Sequence, residues 1–259
     1  MSGLPQVHPA GKPAHSPPDA RHQSITVNHR LTVFIEQPPE FVRKLYPSAV
    51  WRMDPDERAV YLTFDDGPIP EVTPWVLDLL DKYDIKATFF MVGDNIRKHP
   101  DEFQMVVERG HRIGNHTFNH LRGFEYNFKD YLANAEKANE VMKTDLFRPP
   151  HGHMGWTQYM ILKRRYKIIM WDLVTRDYSK KLRGPQVLAN VMRYARNGSI
   201  ITFHDSLKSW NNGNLQYALP RAIEFLKEEG YELYRVIKLR VESFHAAQLR
   251  SLTFNSQCF

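Results

Sequence analysis

From residue 59 onward the chain alternates two kinds of apolar pattern. Short continuous runs read as buried strands, and longer segments with apolar positions three and four apart read as helices. The runs are Ala59–Leu62, Ala87–Val92, Arg112–Gly114, Leu146–Arg148, Lys167–Leu173, Ser199–Phe203 and Tyr231–Val236. Between them the helical period covers Thr73–Tyr83, Pro100–Arg109, Lys129–Met142, Thr157–Arg165, Gly184–Arg196 and Leu219–Glu229. Thr73 before Pro74 predicts an N-cap with proline at the first helical position, and Gly110 predicts a helix stop. Seven strands separated by helices imply parallel βαβ units, arranged as an open sheet or a barrel.

The ends of the chain follow different rules. Residues 1–24 are Pro-rich, carry no apolar period and read as a disordered arm. His8, His15, His22 and His29 fall seven apart, but prolines between the first three prevent one shared helix face. Residues 25–58 read as a brace. An extended segment over 25–35 leads to a short helix, Glu40–Tyr46, whose Phe41, Val42 and Leu45 make it a lid or brace on a barrel spanning 59–241. Residues 242–259 form a tail without a period. The net charge is +6, from 35 basic and 29 acidic side chains. No block of basic residues marks a nucleic-acid arm. The lone Cys258 allows no internal disulfide, so nothing argues for an oxidising compartment. There is no apolar run of about 18 residues for a membrane span. The N-terminus lacks the charged start and apolar core of a secretory signal. The default expectation is therefore cytoplasmic, with secreted or periplasmic the alternative if the chain has been trimmed.

Polar motifs follow predicted strands one, three, four, five and six. That spread favours a barrel, in which strand ends converge on one mouth. The first motif is Thr63-Phe64-Asp65-Asp66-Gly67-Pro68. Adjacent side chains at a strand end point in different directions, so one Asp can face a metal and its neighbour a substrate. The same residues also suit a plain turn, and order alone does not decide which Asp would bind metal. The second motif is His116-Thr117-Phe118-Asn119-His120. Histidines four apart share a face of a helical turn. With one carboxylate they give two nitrogens and an oxygen, the donor set of catalytic zinc sites. Taken alone, the pair also suits local packing. His99 and His111 lack such a partner and read as surface or loop residues. In Arg148-Pro149-Pro150-His151-Gly152-His153 the prolines fix the backbone, and Arg148 suits a carboxylate partner. His153 reads as a loop residue. Trp171-Asp172 through Arg176-Asp177-Tyr178 follows, and then His204-Asp205, where His204 is a candidate for proton transfer near neutral pH.

Together these five pieces resemble the polysaccharide deacetylases with the NodB homology domain, carbohydrate esterase family 4, from Val60 to Val236. The resemblance implies a distorted (β/α)7 barrel in a single domain. It implies a metal-dependent hydrolase that removes acetyl groups from N-acetylglucosamine-type units of a poly- or oligosaccharide. Asp66, His116 and His120 would hold a divalent metal, zinc first, with cobalt or nickel also accepted. Asp65 would be the general base, held by Arg148. His204 would be the general acid, oriented by Asp177. The His151 backbone N–H would help stabilise the oxyanion, and Trp171 and Tyr178 would wall the sugar groove. The implied partner is an acetylated glycan. An O-acetyl esterase acting on a glycan such as xylan, and a carbohydrate-binding barrel without turnover, are the alternatives. Four positions depart from the usual family pattern: His151 stands for Tyr, Val174 for Asp, Tyr178 for Trp and Thr202 for Leu. All four fall in pocket walls, so they bear on substrate choice.

Overall fold

A computed structural model describes residues 36–236, which all fall in one compact unit. The predicted arm 1–24, the extended segment 25–35, residues 237–241 and the tail 242–259 lie outside the described residues. The described chain opens with α1 (Glu40–Leu45). It then runs through β1 (Ala59–Asp65), α2 (Thr73–Lys82), β2 (Thr88–Met91), α3 (Gly93–Lys98), α4 (Pro100–Glu108) and β3 (Arg112–Asn115). It continues through α5 (Phe128–Met142), β4 (Leu146–Phe147), α6 (Trp156–Leu162), β5 (Lys167–Ile168), β6 (Leu173–Val174) and α7 (Gly184–Tyr194). It closes with β7 (Ile200–His204), α8 (Leu207–Asn211), α9 (Asn214–Glu228) and β8 (Glu232–Tyr234).

The strands form one curled parallel half-barrel in the order β5-β4-β3-β2-β1-β7-β6, with β8 against the first half of β1. β1 is the axis and is buried along its whole length, as a strand covered on both faces must be. Its outward side chains enter the core between sheet and helices. Phe64 stacks on Phe89 at 4.9 Å and on Phe203 at 6.2 Å. Full burial of such a side chain stabilises by roughly 1.5–3 kcal/mol. The alternate residues Thr63 and Asp65 point the other way. Register then levels the strand ends, because Asp65 pairs with Phe90 of β2 and His204 of β7, and Asn115 pairs with Phe147. The loops after β1, β3, β4, β6 and β7 therefore open on one rim.

Among the described residues the barrel is not closed by strand pairing. β5 and β6 end the ladder on opposite sides, and the segment before β1 bridges the seam between them. Val50 N donates to Ile168 O at 2.8 Å, and Val50 O accepts from Met170 N at 2.8 Å. Below, Met53 N donates to Gly198 O. The predicted strand Lys167–Leu173 is consequently two short strands. Between them Ile169, Met170 and Asp172 bond to Phe147, Val50 and Ile200 in turn, so no single ladder continues. Helices α3 and α8 go beyond the sequence pattern, and α9 starts earlier than expected, at Asn214. Pro220 lies inside α9, where Leu215, Ala218, Leu219 and Ala222 bury a continuous face. Thr73 does not cap α2; its hydroxyl turns to Asp205 instead. On α1, Phe41 and Leu45 are exposed and only Val42 packs inward.

Candidate active site

The floor of the rim is an ion pair. Arg148, directly after β4, is fully buried. Its Nη1 donates to Asp65 Oδ1 at 2.6 Å and to the hydroxyls of Thr63 at 2.8 Å and Thr202 at 3.2 Å. Its Nη2 donates to Met170 O at 2.8 Å and its Nε to Ile169 O at 3.2 Å. The guanidinium sits 4.0 Å from the Phe90 ring centre. A buried cation needs partners on all its donors, and here β1, β7 and the segment between β5 and β6 supply them. Burial raises the Asp65 carboxyl above its ordinary value, with repulsion from Asp66 adding; Arg148 and His204 pull the other way without cancelling it.

Asp66 follows at φ 83°, outside the strand conformation, so its carboxylate swings away from that of Asp65. Asp205 organises this turn. Its Oδ1 accepts from Gly67 N at 3.1 Å and its Oδ2 from the Thr73 hydroxyl at 2.7 Å. A Cβ at position 67 would overlap that carboxylate, so glycine is required there. Burial, then repulsion from Asp66, push Asp205 up to about 8 against those hydrogen bonds. Sequence reasoning gave Asp205 no role. The signal was present in the His-Asp doublet and in Thr73, whose hydroxyl read as a cap.

The two histidines converge by a route other than the expected helical turn. Residues 116–120 form a loop with Thr117 at φ 62° and His120 at φ 55°. Side chains hold the loop: Asn115 Oδ1 accepts from Thr117 N at 2.8 Å, and Asn134 Oδ1 accepts from Phe118 N at 2.8 Å. His116 Nδ1 lies 2.8 Å from Arg148 O. A proton given to that carbonyl leaves the lone pair on Nε2, the usual way a metal-binding imidazole is oriented. His116 Nε2 is 3.8 Å and His120 Nε2 3.0 Å from Asp66 Oδ1. One donor atom from each of Asp66, His116 and His120 lies within 4.8 Å of the others. Two imidazole nitrogens and one carboxylate oxygen at this spacing fit a divalent transition metal. Burial drives the His116 imidazole well below its ordinary value, keeping it neutral. Burial alone would raise Asp66, but the His120 hydrogen bond and the neighbouring imidazole charges outweigh it and hold the carboxyl below its usual range.

Opposite the triad, His204 ends β7. Its Nδ1 lies 2.8 Å from Asp177 Oδ1, and its backbone N donates to Asp177 Oδ2 at 2.8 Å. Asp177 is fully buried, and Asn212 and Asn214 hold its backbone carbonyl. Burial works against a charged His204, but Asp177, with Asp66 and Asp65 beyond it, outweighs burial and raises its pKa to about 9. The Tyr178 ring meets the His204 ring edge-on at 4.7 Å.

A cavity of about 620 Å³ joins these groups, and Asp65, Asp66, His116, His120, His151, Trp171, Tyr178 and His204 all line it. Arg148 and Asp177 lie buried behind it. His151 stands at φ 58° with its ring 4.7 Å from that of His120. Burial, then the charges of His120 and Arg122, lower its pKa to about 4. A Cβ on Gly152 would come within 2.6 Å of the Trp171 indole, so the ring packs on bare backbone. His153 also lines the cavity. His111 is elsewhere and is not a surface residue: it is buried, and its Nδ1 accepts from Ala87 N at 3.1 Å. Pattern reading missed the contribution of the brace, since Pro38, Pro39, Val42 and Trp51 also line the cavity. Two ion pairs hold it there: Arg43 to Asp172 at 2.7 Å and Arg176 to Glu36 at 2.6 Å.

This fold and rim have known counterparts. The polysaccharide deacetylase family model matches residues 52–164. The chain is 33% identical over 198 residues to a peptidoglycan-N-acetylglucosamine deacetylase of Bacillus cereus, covering 73% of this chain and 91% of that protein. It covers 64% of a second, longer relative of the same description from that organism. A crystal structure of a peptidoglycan N-acetylglucosamine deacetylase superposes with a TM-score of 0.68 at 28% identity, covering 76% of this chain and 94% of that one. A family 4 pseudoenzyme from Bacillus anthracis superposes with a TM-score of 0.63 at 26% identity, covering 73% of this chain and 68% of that one. These likenesses define a hydrolase on a distorted (β/α)7 barrel. The chain belongs to the polysaccharide deacetylases of carbohydrate esterase family 4, enzymes that cleave N-acetyl amide bonds and depend on a metal.

Proposed function

We propose that this deacetylase removes acetyl groups from N-acetylglucosamine-type units of a poly- or oligosaccharide. The observation that carries the reading is the convergence of Asp66, His116 and His120 beside the Arg148–Asp65 and Asp177–His204 pairs. A divalent cation, zinc for this donor set, held by Asp66, His116 and His120 would polarise the amide carbonyl and lower the pKa of water. Asp65 is then the base that takes the proton of the attacking water. Burial raises its pKa above the ordinary carboxylate value, which makes it a stronger base, and Arg148 fixes its orientation. His204, with Nδ1 held by Asp177, gives its Nε2 proton to the departing nitrogen, so that the amide C–N bond breaks to acetate and a free amine. The His151 backbone N–H donates to the carbonyl oxygen as it gains charge. Trp171 and Tyr178 wall the sugar. The complete set of ionisable groups supports turnover over sugar binding alone.

The relative's peptidoglycan substrate supports a bacterial cell-wall glycan. Such a substrate favours the secreted or periplasmic location over the cytoplasmic default. Among the described residues no helix is long and apolar enough to cross a membrane. The test is acetate release from N-acetylglucosamine oligomers, peptidoglycan and acetylated xylan, with and without zinc. We expect zinc-dependent release from the first two, and a loss of at least about 1,000-fold, together with the bound metal, in Asp66→Ala. Undiminished release by Asp66→Ala would refute the proposed site; release from xylan alone would replace the substrate.

A further inference from the structure

The cavity has two chemically distinct sides. On the β1, β3 and β4 side its wall is ionisable: Asp66, His116, His120, His151 and His153. On the seam side it is aliphatic and aromatic: Pro38, Pro39 and Val42 from the brace, Trp51 behind them, Met170 from the segment between β5 and β6, and Val174 from β6. The second side is continuous with the reaction centre. Met170 O accepts from the same Arg148 that binds Asp65, and Val174 pairs with Thr202, whose hydroxyl also meets Arg148. Trp51 is 8% and Val174 6% exposed, so this is a pocket rather than an open platform on which a sugar face could lie. An apolar recess beside a hydrolytic centre is matched by an apolar part of the substrate. In an N-acylated sugar the ring carries hydroxyls, and the acyl tail is the aliphatic part. Six apolar residues line it, more surface than a methyl group alone covers.

We propose that the seam recess is an acyl-chain subsite, and that the enzyme hydrolyses N-acyl sugars with linear chains longer than acetyl, N-propionyl and N-butyryl among them. The proposal rests on the N-deacylase reading above. Water adds across the same C–N bond, releasing the amine and butyrate in place of acetate. Each methylene that leaves water for the recess raises kcat/KM about fourfold. Chains long enough to reach Pro38 and Pro39 stop gaining.

The experiment measures amine release by the zinc-loaded full chain from chitotetraose analogues bearing N-acetyl, N-propionyl or N-butyryl groups. The expected result is a butyryl kcat/KM about 16-fold above the acetyl value, from two methylenes at about fourfold each. The expected effect of Val42→Phe, which fills the recess from α1, is a fall of more than tenfold in the butyryl-to-acetyl ratio. Val174→Leu does the same from the strand side and serves if the first variant does not fold. Acetyl cleavage with propionyl and butyryl both reduced more than tenfold overturns the acyl subsite and leaves the deacetylase reading standing. A butyryl-to-acetyl ratio unmoved by either folded variant also overturns it. No cleavage of any chain length removes both.

Discussion

On the metal side of the cavity, loops are held in backbone conformations that few residues adopt. Asp66, Thr117, His120 and His151 all have positive φ, and such positions persist only where surrounding bonds fix them. Here the fixing bonds are ionic and polar: Arg148 under Asp65, Asp205 under Gly67, and Asn115 and Asn134 around the histidine loop. On the seam side Val42 from a helix, Val174 from a strand end and Pro38, Pro39, Trp51 and Met170 from connecting segments carry aliphatic and aromatic side chains. This wall is held at a distance, by Arg43 and Glu36 pairing outside the recess. The ionic side therefore tolerates almost no change in shape. On the acyl-subsite proposal the apolar side should tolerate changes of volume and answer with altered substrate choice.

Perturbing each side tests that contrast. The largest effect falls on Arg148. Arg148→Met leaves Asp65 without its partner and should cost about 3–5 kcal/mol of stability, measured by denaturant unfolding. Because Arg148 lowers the Asp65 pKa, its loss also moves the acid limb of kcat/KM to higher pH. A stability change below 1 kcal/mol, the order of an exposed pair, would show that the floor is not the rigid element. Asp177→Asn comes next, with a fall of about 100-fold or more in kcat. The acid form of His204 is the active one, and it is present below the pKa that Asp177 raises to about 9. Removing that charge must shift the alkaline limb to lower pH. A cation offsetting the Asp66 charge puts the limb of the loaded wild-type enzyme at or below 9. An alkaline limb that stays put in the variant would assign the proton to another group.

Gly67→Ala should cost about 1–3 kcal/mol by overpacking against Asp205. Calorimetry reads the loss, and a parallel drop in metal affinity would show that it reaches Asp66. Arg43→Ala is the mildest. Asp172 keeps Arg196 and Ser199, so stability should change by about 1 kcal/mol or less. The readout is a KM change on the glycan with kcat nearly constant. An equal loss in both would mean that the brace positions the reacting groups themselves.

The same contrast explains what could be read from the sequence. The rim was legible because each motif stands directly after an apolar run, and parallel strands bring such positions level. All ten predicted residues lie around one cavity or directly behind it. The local geometry was less legible. Histidines four apart suggested a helical turn, but Asn115 and Asn134 offer the loop its hydrogen bonds, and asparagine side chains compete with helix in this way. Lys167–Leu173 looked like one strand because its apolar content is continuous; the break comes from Val50, more than a hundred positions away. The recess was hidden for the same reason. Val42 and Trp51 have no periodic relation to the motifs they face, and only the folded chain brings them together.

The bridging of the seam by Val50 has an evolutionary consequence. A barrel sutured by the segment before its first strand takes part of its cavity wall, Val42 and Trp51, from outside the strand-end motifs. A change of bulk there leaves Asp66, His116 and His120 where they are, so on the acyl-subsite proposal one reaction centre could be fitted to other acylated glycans by substitutions in that segment.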